Sequence, residues 1–399
     1  MFEVIGRHDT SFDLAVIGAG PAGAAAALAA ARAGLSVGLF EPQPVPDRPC
    51  GEGILPSGVS ALRQLDLPGL LARGHALERI RYVLTSGREL AVDLPLAGCA
   101  LERPVLTGAL ARALECERRI TRIQERVSSR RTPGGFHLFT GGASWTARLL
   151  IAADGLAGQG ASWLRAPERG SVRYGLRARV EARSALEHVE VHLGGTCEVY
   201  LTPLAERRIN VAVLLTTPPA GERSSAAWLA AALREHPRAA RHLGDWVTPP
   251  QARVLPRARP PRVAERGAFL VGDATGGVDP VLGCGVAIAL GTGLEAAGAA
   301  RRVLAQGSGT PEREYARFVR RETRSRRMLA DGLLLLSRHR LLQELVGGGL
   351  AAFPALVARL ARTVAGGPTG GHENTSTGSA APDHENPLLR SGAGQPGSG

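Results

Sequence analysis

Three glycines near the start of the chain have the types and spacing that bind the pyrophosphate of a dinucleotide. Gly18, Gly20 and Gly23 stand in the stretch GAGPAG, directly after a short apolar run. The first glycine permits a tight turn, the second lets a backbone approach the phosphates, and the third allows a helix to pack closely on a strand. The N–H groups and the dipole at the start of that helix favour an anion. The spacing therefore predicts a dinucleotide site that includes Pro21 and Ala22 at the helix start.

A complete βαβ unit is predicted around these glycines. Apolar residues 14–17 suit a buried parallel strand, an alanine-rich helix follows over 22–33, and residues 35–40 form a second strand. Glu41 stands at the end of the second strand, where an acidic side chain hydrogen-bonds the ribose hydroxyls of the adenosine half. A lone glycine triplet could be a turn that binds nothing. Here the strand, triplet, helix, second strand and acid occur in order, and this order favours the dinucleotide site.

A second glycine-rich segment far downstream indicates which dinucleotide is bound. An apolar run over 268–271 leads into Gly272, Asp273 and Ala274, and a small-residue helix is predicted over 286–304. At these motifs the chain resembles the FAD-dependent oxidoreductase superfamily, which includes the aromatic-hydroxylase-type monooxygenases and the geranylgeranyl-reductase-like flavoproteins. The resemblance implies FAD as the cofactor, with Gly272 in the turn and Asp273 holding the ribityl chain.

The turn before that helix contains Pro280, Gly283 and Gly285. In the superfamily, backbone N–H groups of this turn point at the pyrimidine ring of the flavin. Reduced flavin carries negative charge there, and a helix N-terminus stabilises such charge without adding a titrating group. The resemblance therefore implies that these three residues bind the cofactor. The alternative is an ordinary turn before a surface helix.

Three further motifs of the superfamily lie between the two glycine-rich segments. A Cys-Gly segment passes close to the flavin ring, an arginine at the start of a helix reaches FAD, and an Asp-Gly pair contacts both FAD and the nicotinamide cofactor. The residues that match these motifs are Arg48, Cys50 and Gly51 in the first, Arg103 in the second, and Asp154 and Gly155 in the third.

The chain also departs from the superfamily pattern. Gly158 and Ala161 replace the serine and arginine expected after the Asp-Gly pair, and Arg165 is the nearest basic residue. Thr275 follows Gly-Asp-Ala, where relatives often carry a histidine. We expect NADPH or NADH as the electron donor, although the motifs support FAD more strongly. The missing histidine favours the reductase-like relatives or the hydroxylases nearest them.

The resemblance implies an α/β fold, α+β overall, with a Rossmann-like FAD-binding domain and an inserted mixed β-sheet domain for the substrate. The FAD-binding domain must be discontinuous, because two distant glycine-rich segments serve one ligand. Helices and a polar tail follow. The expected boundaries are 1–75, 101–165 and 251–310 for the FAD-binding domain, 76–100 and 166–250 for the substrate domain, 311–365 for the C-terminal helical region and 366–399 for a disordered tail.

The sheet of the substrate domain is predicted from short apolar or alternating segments that are separated by turn residues. In the superfamily such a sheet lies over the flavin, and its inner face lines the substrate cavity. The predicted strands cover residues 79–85, 89–94, 174–180, 188–193, 197–202 and 208–215.

Catalytic residues are not determined by these motifs, and the candidates are His192, Tyr200 and Cys50. Period-two alternation places His192 with Glu190 on one strand face and Tyr200 with Glu198 on another. His192 or Tyr200 would hydrogen-bond or deprotonate a phenol-like substrate. The alternative, which the alternation favours, is a solvated sheet face. Cys50 would contact the flavin or the substrate, although a free cysteine more often fills space.

Composition limits the partners. The formal net charge is +12, and all 48 basic residues are arginine. These arginines are scattered and aromatic residues make up only 4%, so we expect no nucleic-acid partner. The five cysteines show no metal-ligand spacing, so we expect no metal. Because no secretory signal or apolar run of about twenty residues is visible, we expect a cytoplasmic protein without a membrane span.

Residues 312–364 predict C-terminal helices with a basic part followed by a leucine-rich part. A final helical stretch over 351–364 is interrupted by Pro354. Such an end covers a cavity or rests on a membrane surface, and peripheral membrane contact is one prediction. The alternative, which helical stripes favour in general, is an amphipathic helix packed on the core. The oligomeric state is left open.

The resemblance is closest to bacterial FAD-dependent monooxygenases associated with polyketide and alkylpyrone biosynthesis, a branch of secondary metabolite biosynthesis. The leading hypothesis is an NAD(P)H-dependent monooxygenase that hydroxylates a lipophilic aromatic or polyketide-like molecule with O₂ through a flavin C4a-hydroperoxide. One alternative is a geranylgeranyl-reductase-like flavoenzyme that reduces alkene bonds of a prenyl chain, favoured by the Cys-Gly segment and the missing histidine. A second alternative is a flavin-binding protein without turnover.

Overall fold

The computed structural model describes residues 11–43, 47, 51–155, 158, 164, 172–194, 196–218, 221, 224–256, 260–339, 341–343, 345 and 354–366. The strands in chain order are β1 (Ser11–Ile17), β2 (Val37–Phe40), β3 (Gly53–Ile54), β4 (His75–Val83), β5 (Glu89–Ala100), β6 (Ile120–Ile123), β7 (Ser128–Thr132), β8 (Gly135–Phe139), β9 (Ser144–Ala152), β10 (Val172–Ala182), β11 (Val189–Leu193), β12 (Cys197–Leu204), β13 (Arg208–Leu215), β14 (Leu243–Pro256), β15 (Ala264–Glu265) and β16 (Ala268–Leu270).

The helices connect and cover these strands. Two 3₁₀ turns, Gly272–Thr275 and Pro280–Leu282, follow β16. The α-helices are α1 (Pro21–Arg32), α2 (Pro56–Gln64), α3 (Pro68–Leu71), α4 (Arg103–Cys116), α5 (Ser225–Glu235), α6 (Pro237–Ala240), α7 (Gly285–Gln306), α8 (Thr310–Arg338) and α9 (Pro354–Ala365).

The first sheet has a parallel core in the order β6-β2-β1-β9-β16, and β15 extends it at one edge. The hairpin β7–β8 pairs antiparallel with β9. This order is that of a nucleotide-binding doubly wound sheet, in which ligands bind beyond the carboxyl ends of the strands where the order reverses. The predicted βαβ unit is confirmed by β1, α1 and β2.

Helices α1 and α7 pack unusually closely because their contact surfaces consist of glycine and alanine. A Cβ at Gly293 of α7 would lie 2.3 Å from the carbonyl oxygen of Ala22 in α1. Alanines 24–27 of α1 are fully buried. Small side chains permit such an approach, and this explains the alanine-rich run of the sequence. The contact also brings the N-termini of both helices to the same region of the molecule.

The second sheet has the order β14-β10-β13-β12-β11-β4-β5-β3 and is antiparallel except for the pair β11–β4. The first two predicted strands are confirmed by β4 and β5, which pair antiparallel. The other four are confirmed by β10, β11, β12 and β13. One face packs on α5 and α6 through Val199, Leu201, Val211 and Val213. The opposite face meets α7 and α8 through residues such as Tyr200 and Leu214.

The preferred interpretation of β12 as a strand with a solvated face is wrong. Every residue of β12 is buried, including Glu198 and Thr202. Helix α5 covers one face of the sheet and α8 covers part of the other. The polar residues of β12 therefore lie inside the protein and not at its surface. Alternation alone does not distinguish a wet face from a buried polar one.

Two of the predicted C-terminal helices are confirmed by α8 and α9. Helix α9 covers 354–365 of the predicted final stretch, and residues 351–353 of that stretch lie outside the described residues. Among the described residues, none of the helices combines the length and apolarity needed to cross a membrane. The predicted tail reaches the described residues only at Gly366, and the remainder lies outside them.

We predict that Gly293→Ala destabilises the protein by about 2 kcal/mol, because the added methyl group forces α7 away from α1. Gly291→Ala is the matched control on the same helix, since a Cβ there meets no atom within 4 Å. The control should be neutral or stabilise by up to about 1 kcal/mol through helix propensity. Urea unfolding of both variants measures the difference, and equal stabilities would contradict the packing explanation.

Candidate cofactor and substrate site

A cavity of about 1090 Å³ extends from the carboxyl ends of the first sheet to the inner face of the second sheet. It brings together almost all described residues that the sequence predicts for the cofactor. These are Gly18, Gly20, Pro21, Ala22, Glu41, Gly51, Arg103, Asp154, Gly155, Gly272, Asp273, Pro280, Gly283 and Gly285.

The remaining predicted cofactor residues are Gly23, Arg48 and Cys50. Arg48 and Cys50 lie outside the described residues, as do Ala161 and Arg165. Gly23 lies behind the turn, where a Cβ would be 1.8 Å from the carbonyl oxygen of Gly18. Its role is the close packing of the helix on the turn, as the motif predicts.

The remaining glycines of the first turn have different physical reasons. Gly18 has φ +100° and an added Cβ would lie 2.6 Å from the carbonyl oxygen of Ala153, so both conformation and space require glycine. Gly20 is the N-cap of α1, and a Cβ there would meet no atom within 4 Å. Gly20 therefore exposes bare backbone at a helix N-terminus that faces the cavity, which is a suitable place for an anion.

Glu41 lies at the cavity wall immediately after β2. Its Oε2 accepts a hydrogen bond of 2.9 Å from the backbone N–H of Ala19, within the glycine turn. The carboxylate is therefore held beside the start of α1. This position is the one that the motif assigns to the acid that binds ribose hydroxyls.

The Gly272–Thr275 turn presents Asp273 at the cavity wall. Gly272 has φ +58°, and its N–H donates to Oγ1 of Thr292 at 2.9 Å. The hydroxyl of Thr275 donates to the carbonyl oxygen of Gly272 at 2.7 Å. These bonds hold the turn against α7 and leave the Asp273 side chain exposed in the cavity.

Helix α8 holds the loop that follows this turn. Nε of Arg327 donates to the carbonyl oxygen of Gly277 at 3.0 Å, and its Nη2 donates to that of Thr275 at 3.5 Å. Beyond this loop, Gly283 has φ +63° and Gly285 begins α7. A Cβ at either glycine would meet no atom within 4 Å, so both leave the backbone bare towards the cavity.

The helix N-termini, carboxylates and bare backbone that line the cavity fit a flavin dinucleotide. Two helix N-termini, α1 and α7, reach the cavity and suit a pyrophosphate and a negatively charged ring. Two carboxylates, Glu41 and Asp273, suit hydroxyl groups of a ribose and a ribityl chain. Bare glycine backbone at both ends lets a flat or charged group approach closely.

Comparisons with known proteins agree with this fit. Residues 13–46 match the family model described as FAD dependent oxidoreductase. Digeranylgeranylglycerophospholipid reductase 1 of Methanothermobacter thermautotrophicus is 27% identical over 345 residues, which cover 78% of this chain and 83% of that protein. The chain is thus similar in sequence to the FAD-dependent oxidoreductases. The expected fold class and the recognised superfamily are thereby confirmed, and FAD is the cofactor that the superfamily supports.

A further sequence relative and two solved structures are also similar to this chain. Menaquinone reductase of Mycobacterium tuberculosis is 41% identical over 123 residues, a match that spans only 31% of this chain and 29% of that protein. The flavin-dependent brominase Bmp2 aligns with a TM-score of 0.76 at 18% identity, covering 90% of this chain and 94% of its own. A geranylgeranyl bacteriochlorophyll reductase-like protein of Thermoplasma acidophilum aligns with a TM-score of 0.68 at 19% identity, covering 89% and 92%.

His192 is not a candidate for contact with a substrate in this cavity. On β11 its register partner is Val199, whose side chain packs on α5, whereas the cavity side of the same strands carries Val191 and Tyr200. Nε2 of His192 lies 3.0 Å from Oε2 of Glu190 in a buried cluster on the opposite face. The prediction for His192 was wrong because strand alternation shows which residues share a face but not which face is inward.

Tyr200 does line the cavity, but its hydroxyl has a structural contact. It donates a hydrogen bond of 3.0 Å to the carbonyl oxygen of Val281, in the turn before α7. Burial raises the pKa of Tyr200 well above its usual value, so the phenol remains protonated near neutral pH. Tyr200 therefore connects the second sheet to the predicted flavin-facing turn and is not placed to act as a base.

Cys50 and Cys284 stand in two of the segments that match cofactor motifs. Cys50 lies outside the described residues, so its predicted role stays a prediction. Cys284 is buried at the N-cap of α7, and burial raises its pKa to about 11. A neutral thiol packed among apolar side chains agrees with the role of a space-filling residue.

A buried charged cluster that sequence analysis missed positions Gly51 and Arg103. Nε of Arg179 on β10 donates to both carboxylate oxygens of Glu52 at 3.1 Å, and Arg179 also contacts Asp47. Oε1 of Glu52 accepts the backbone N–H of Arg103 at 2.9 Å. The second sheet thereby fixes both the segment after Cys50 and the start of α4. The two-residue spacing from Arg177 to Arg179 indicated a shared strand face but not burial.

The pKa shifts of the two carboxylates show the competing effects of burial and of the arginines in this cluster. Burial raises the pKa of Glu52, despite the opposing hydrogen bond and charge of Arg179. Burial acts in the same direction on Asp47, but hydrogen bonds from Arg177 and Arg179 outweigh it and lower the pKa of Asp47. The arginines and carboxylates therefore depend on one another for charge compensation.

A second missed cluster joins β10, β12 and α8 at the cavity. Arg173 pairs with Glu198, and its Nη1 lies 3.6 Å from Oδ1 of Asp279. Oγ of Ser337 donates to Oε1 of Glu198 at 2.9 Å. Burial raises the pKa of Glu198, although Arg173 opposes this shift. The polar face of β12 thus anchors α8 over the inner sheet face.

We predict that Arg179→Met destabilises the protein by about 3 kcal/mol, because it leaves buried Glu52 without its main counter-charge. The side chain of Arg179 is only 3% exposed. Arg79→Met is the matched control, since Arg79 and Asp93 form a pair whose side chains are 42% and 72% exposed. The control should show no measurable change. Chemical unfolding compares the two variants, and a similar loss in both would argue against the cluster.

We predict that Gly20→Thr weakens FAD binding at least about 10-fold, or by about 1.4 kcal/mol, while the apoprotein remains stable. Threonine is a good N-cap residue and its Cβ meets no protein atom within 4 Å, so the fold should tolerate it. The side chain would occupy the position from which the bare backbone approaches a pyrophosphate. Fluorescence titration of the apoprotein with FAD measures the affinity, and an unchanged Kd would remove Gly20 from the site.

Proposed function

We propose that this chain is an FAD-dependent enzyme that reduces carbon–carbon double bonds of a lipophilic, prenyl-type molecule. The observation that carries the proposal is the continuity of one cavity, which joins the predicted cofactor wall to an apolar chamber on the second sheet. Apolar side chains line this chamber from strands of the second sheet and from the turn before α7. They include Ile80, Leu94, Val191, Leu214, Leu255 and Leu282.

The size and lining of the cavity support a second molecule beside the cofactor. Its volume of about 1090 Å³ lies above the range of about 300–1,000 Å³ that is usual for a single small-molecule site. Burial of an apolar ligand against an apolar wall is favourable. A strongly polar ligand would lose its hydration there without new hydrogen bonds to replace it. The chamber therefore favours a lipophilic substrate.

Sequence similarity supports reduction over oxygenation. The relatives found by sequence comparison are named menaquinone reductase and digeranylgeranylglycerophospholipid reductase 1. The match to the second extends over 78% of this chain. Structures of monooxygenases and halogenases share less than 20% identity with the chain, so they support the fold alone. The order of the two hypotheses from the sequence is thus reversed in our proposal.

FAD, when bound, supplies the two-electron redox chemistry. The protein contributes position: the α1 N-terminus and Glu41 would hold the adenosine diphosphate half, and Asp273 the ribityl chain. The α7 N-terminus would stabilise negative charge on the flavin ring. The chamber would hold the substrate against that ring and exclude water. Nicotinamide as the electron donor, through Asp154 and Gly155, remains part of the proposal.

Monooxygenation of a lipophilic aromatic or polyketide-like molecule is the second candidate. The same apolar chamber favours it, because oxygen chemistry on a flavin also requires exclusion of water. The candidate differs in its co-substrate, O₂, and in its product. A flavin protein without turnover is the remaining alternative.

Contact with a membrane surface is also part of the proposal, since a prenyl-type substrate resides in lipid. Exposed arginines on α8 would attract anionic headgroups, and exposed apolar side chains near its end would enter the interface. The exposed arginines are Arg317, Arg320, Arg321 and Arg324, and the exposed apolar residues are Met328, Leu335, Leu341 and Leu345.

We predict that the chemically reduced holoprotein, mixed with geranylgeraniol without oxygen, reoxidises its flavin and yields a product with two added hydrogens. Mass spectrometry identifies the product and flavin absorbance follows the reaction. In air, with pentadecylresorcinol as the probe, the same protein should yield no product with an added oxygen atom. An oxygenated product would instead establish the monooxygenase, and no product from either probe would favour a protein without turnover.

A further inference from the structure

Tyr82 places a phenol in the apolar chamber, at a position that sequence analysis did not single out. Its side chain lines the cavity from β4. The register pairs Tyr82 with Val191 of β11, and Val191 in turn with Tyr200 of β12. The two tyrosines therefore lie on the same inward face of the sheet. They are on the two strands that flank β11, with Val191 between them.

The two phenols differ in what their hydroxyls contact. The hydroxyl of Tyr200 donates to the carbonyl oxygen of Val281. No group in the described part of the chain makes a hydrogen bond to the hydroxyl of Tyr82. The side chain of Tyr82 packs instead among apolar residues of the chamber, in the cluster that includes Ile80 and Val191.

A hydroxyl donor in an apolar wall is a recognition element. Burial raises the pKa of Tyr82 to about 12, so the group is a neutral donor throughout the physiological range. When an apolar ligand fills the chamber, a donor that finds no acceptor on the ligand loses its hydration without compensation. A site that carries such a donor therefore discriminates against ligands that cannot accept a hydrogen bond from it.

We propose that Tyr82 is a substrate-binding residue, whose hydroxyl donates a hydrogen bond to an oxygen atom of the lipophilic substrate. This inference rests on the proposed function, because it assumes that the chamber on the second sheet holds the substrate. It narrows the substrate class to apolar molecules that carry an acceptor oxygen, such as a quinone carbonyl or an ether, near the part held by β4 and β11. An unfunctionalised hydrocarbon lacks this contact.

The chain offers a matched control in Tyr174. This residue lies on β10 of the same sheet, but its ring packs edge-on against Trp228 of α5, with ring centroids 6.0 Å apart. It belongs to the cluster on the face away from the cavity. Tyr82→Phe and Tyr174→Phe thus remove the same atom from opposite faces of one sheet.

The test measures binding of two matched probes to the oxidised FAD-loaded protein, so that no turnover occurs. The probes are dimethylnaphthoquinone and dimethylnaphthalene, which share a ring skeleton and differ in the carbonyl oxygens. Perturbation of the flavin spectrum reports the Kd. We expect Tyr82→Phe to weaken binding of the quinone about 2- to 10-fold and to leave binding of the hydrocarbon unchanged. Tyr174→Phe should change neither Kd.

The outcomes separate this inference from the proposed function. Equal affinities of Tyr82→Phe and the unsubstituted protein for the quinone, or equal losses for both probes, would overturn the role of Tyr82 alone. A similar loss in Tyr174→Phe would assign the effect to the sheet and would also overturn that role. Failure of the unsubstituted holoprotein to bind either probe would overturn the proposed lipophilic substrate class, and with it the inference.

Discussion

Close contact between backbone atoms around the first glycine turn is the constraint on which the rest of the structure depends. Gly18 approaches Ala153 on the neighbouring strand, Gly23 approaches Gly18 itself, and Gly293 of α7 approaches Ala22. Because no side chains separate these elements, α1 and α7 lie together on the first sheet. Both helices therefore present their N-termini to one cavity, and neighbouring positive dipole ends suit a cofactor with negative charge at two places.

The second sheet contributes more than a cover for the cofactor wall. Arg179 reaches from β10 to Glu52, which in turn holds the first residue of α4. Tyr200 reaches from β12 to the turn before α7. Residues of the second sheet thus hold the backbone of motifs that would bind the cofactor beside the first sheet. This coupling explains why the two parts of the chain share a single cavity, and why buried charges are retained despite their desolvation cost.

The chemistry of the chamber follows from the same arrangement. Its wall is largely apolar where one face of the second sheet meets α7 and α8, and Glu198 and Tyr200 make hydrogen bonds to neighbouring groups. Arg173 pairs with Glu198, and the hydroxyl of Tyr200 donates to a backbone carbonyl. A site of this kind selects a substrate mainly by shape and apolar surface, so the few remaining donors have a large influence on specificity.

The sequence by itself determined the local parts of the cofactor site. The sequence reveals the glycines that need positive φ or bare backbone, and the acid after β2. Turns and strand ends depend on residues close together in the chain, so local motifs encode them. Only the tertiary structure decided which strand faces turn inward. Long-range pairing placed Tyr82 and Tyr200 in the cavity and turned His192 away from it. It also joined Glu52 to Arg179 across the fold, because register and burial depend on contacts between distant segments, which local spacing does not encode.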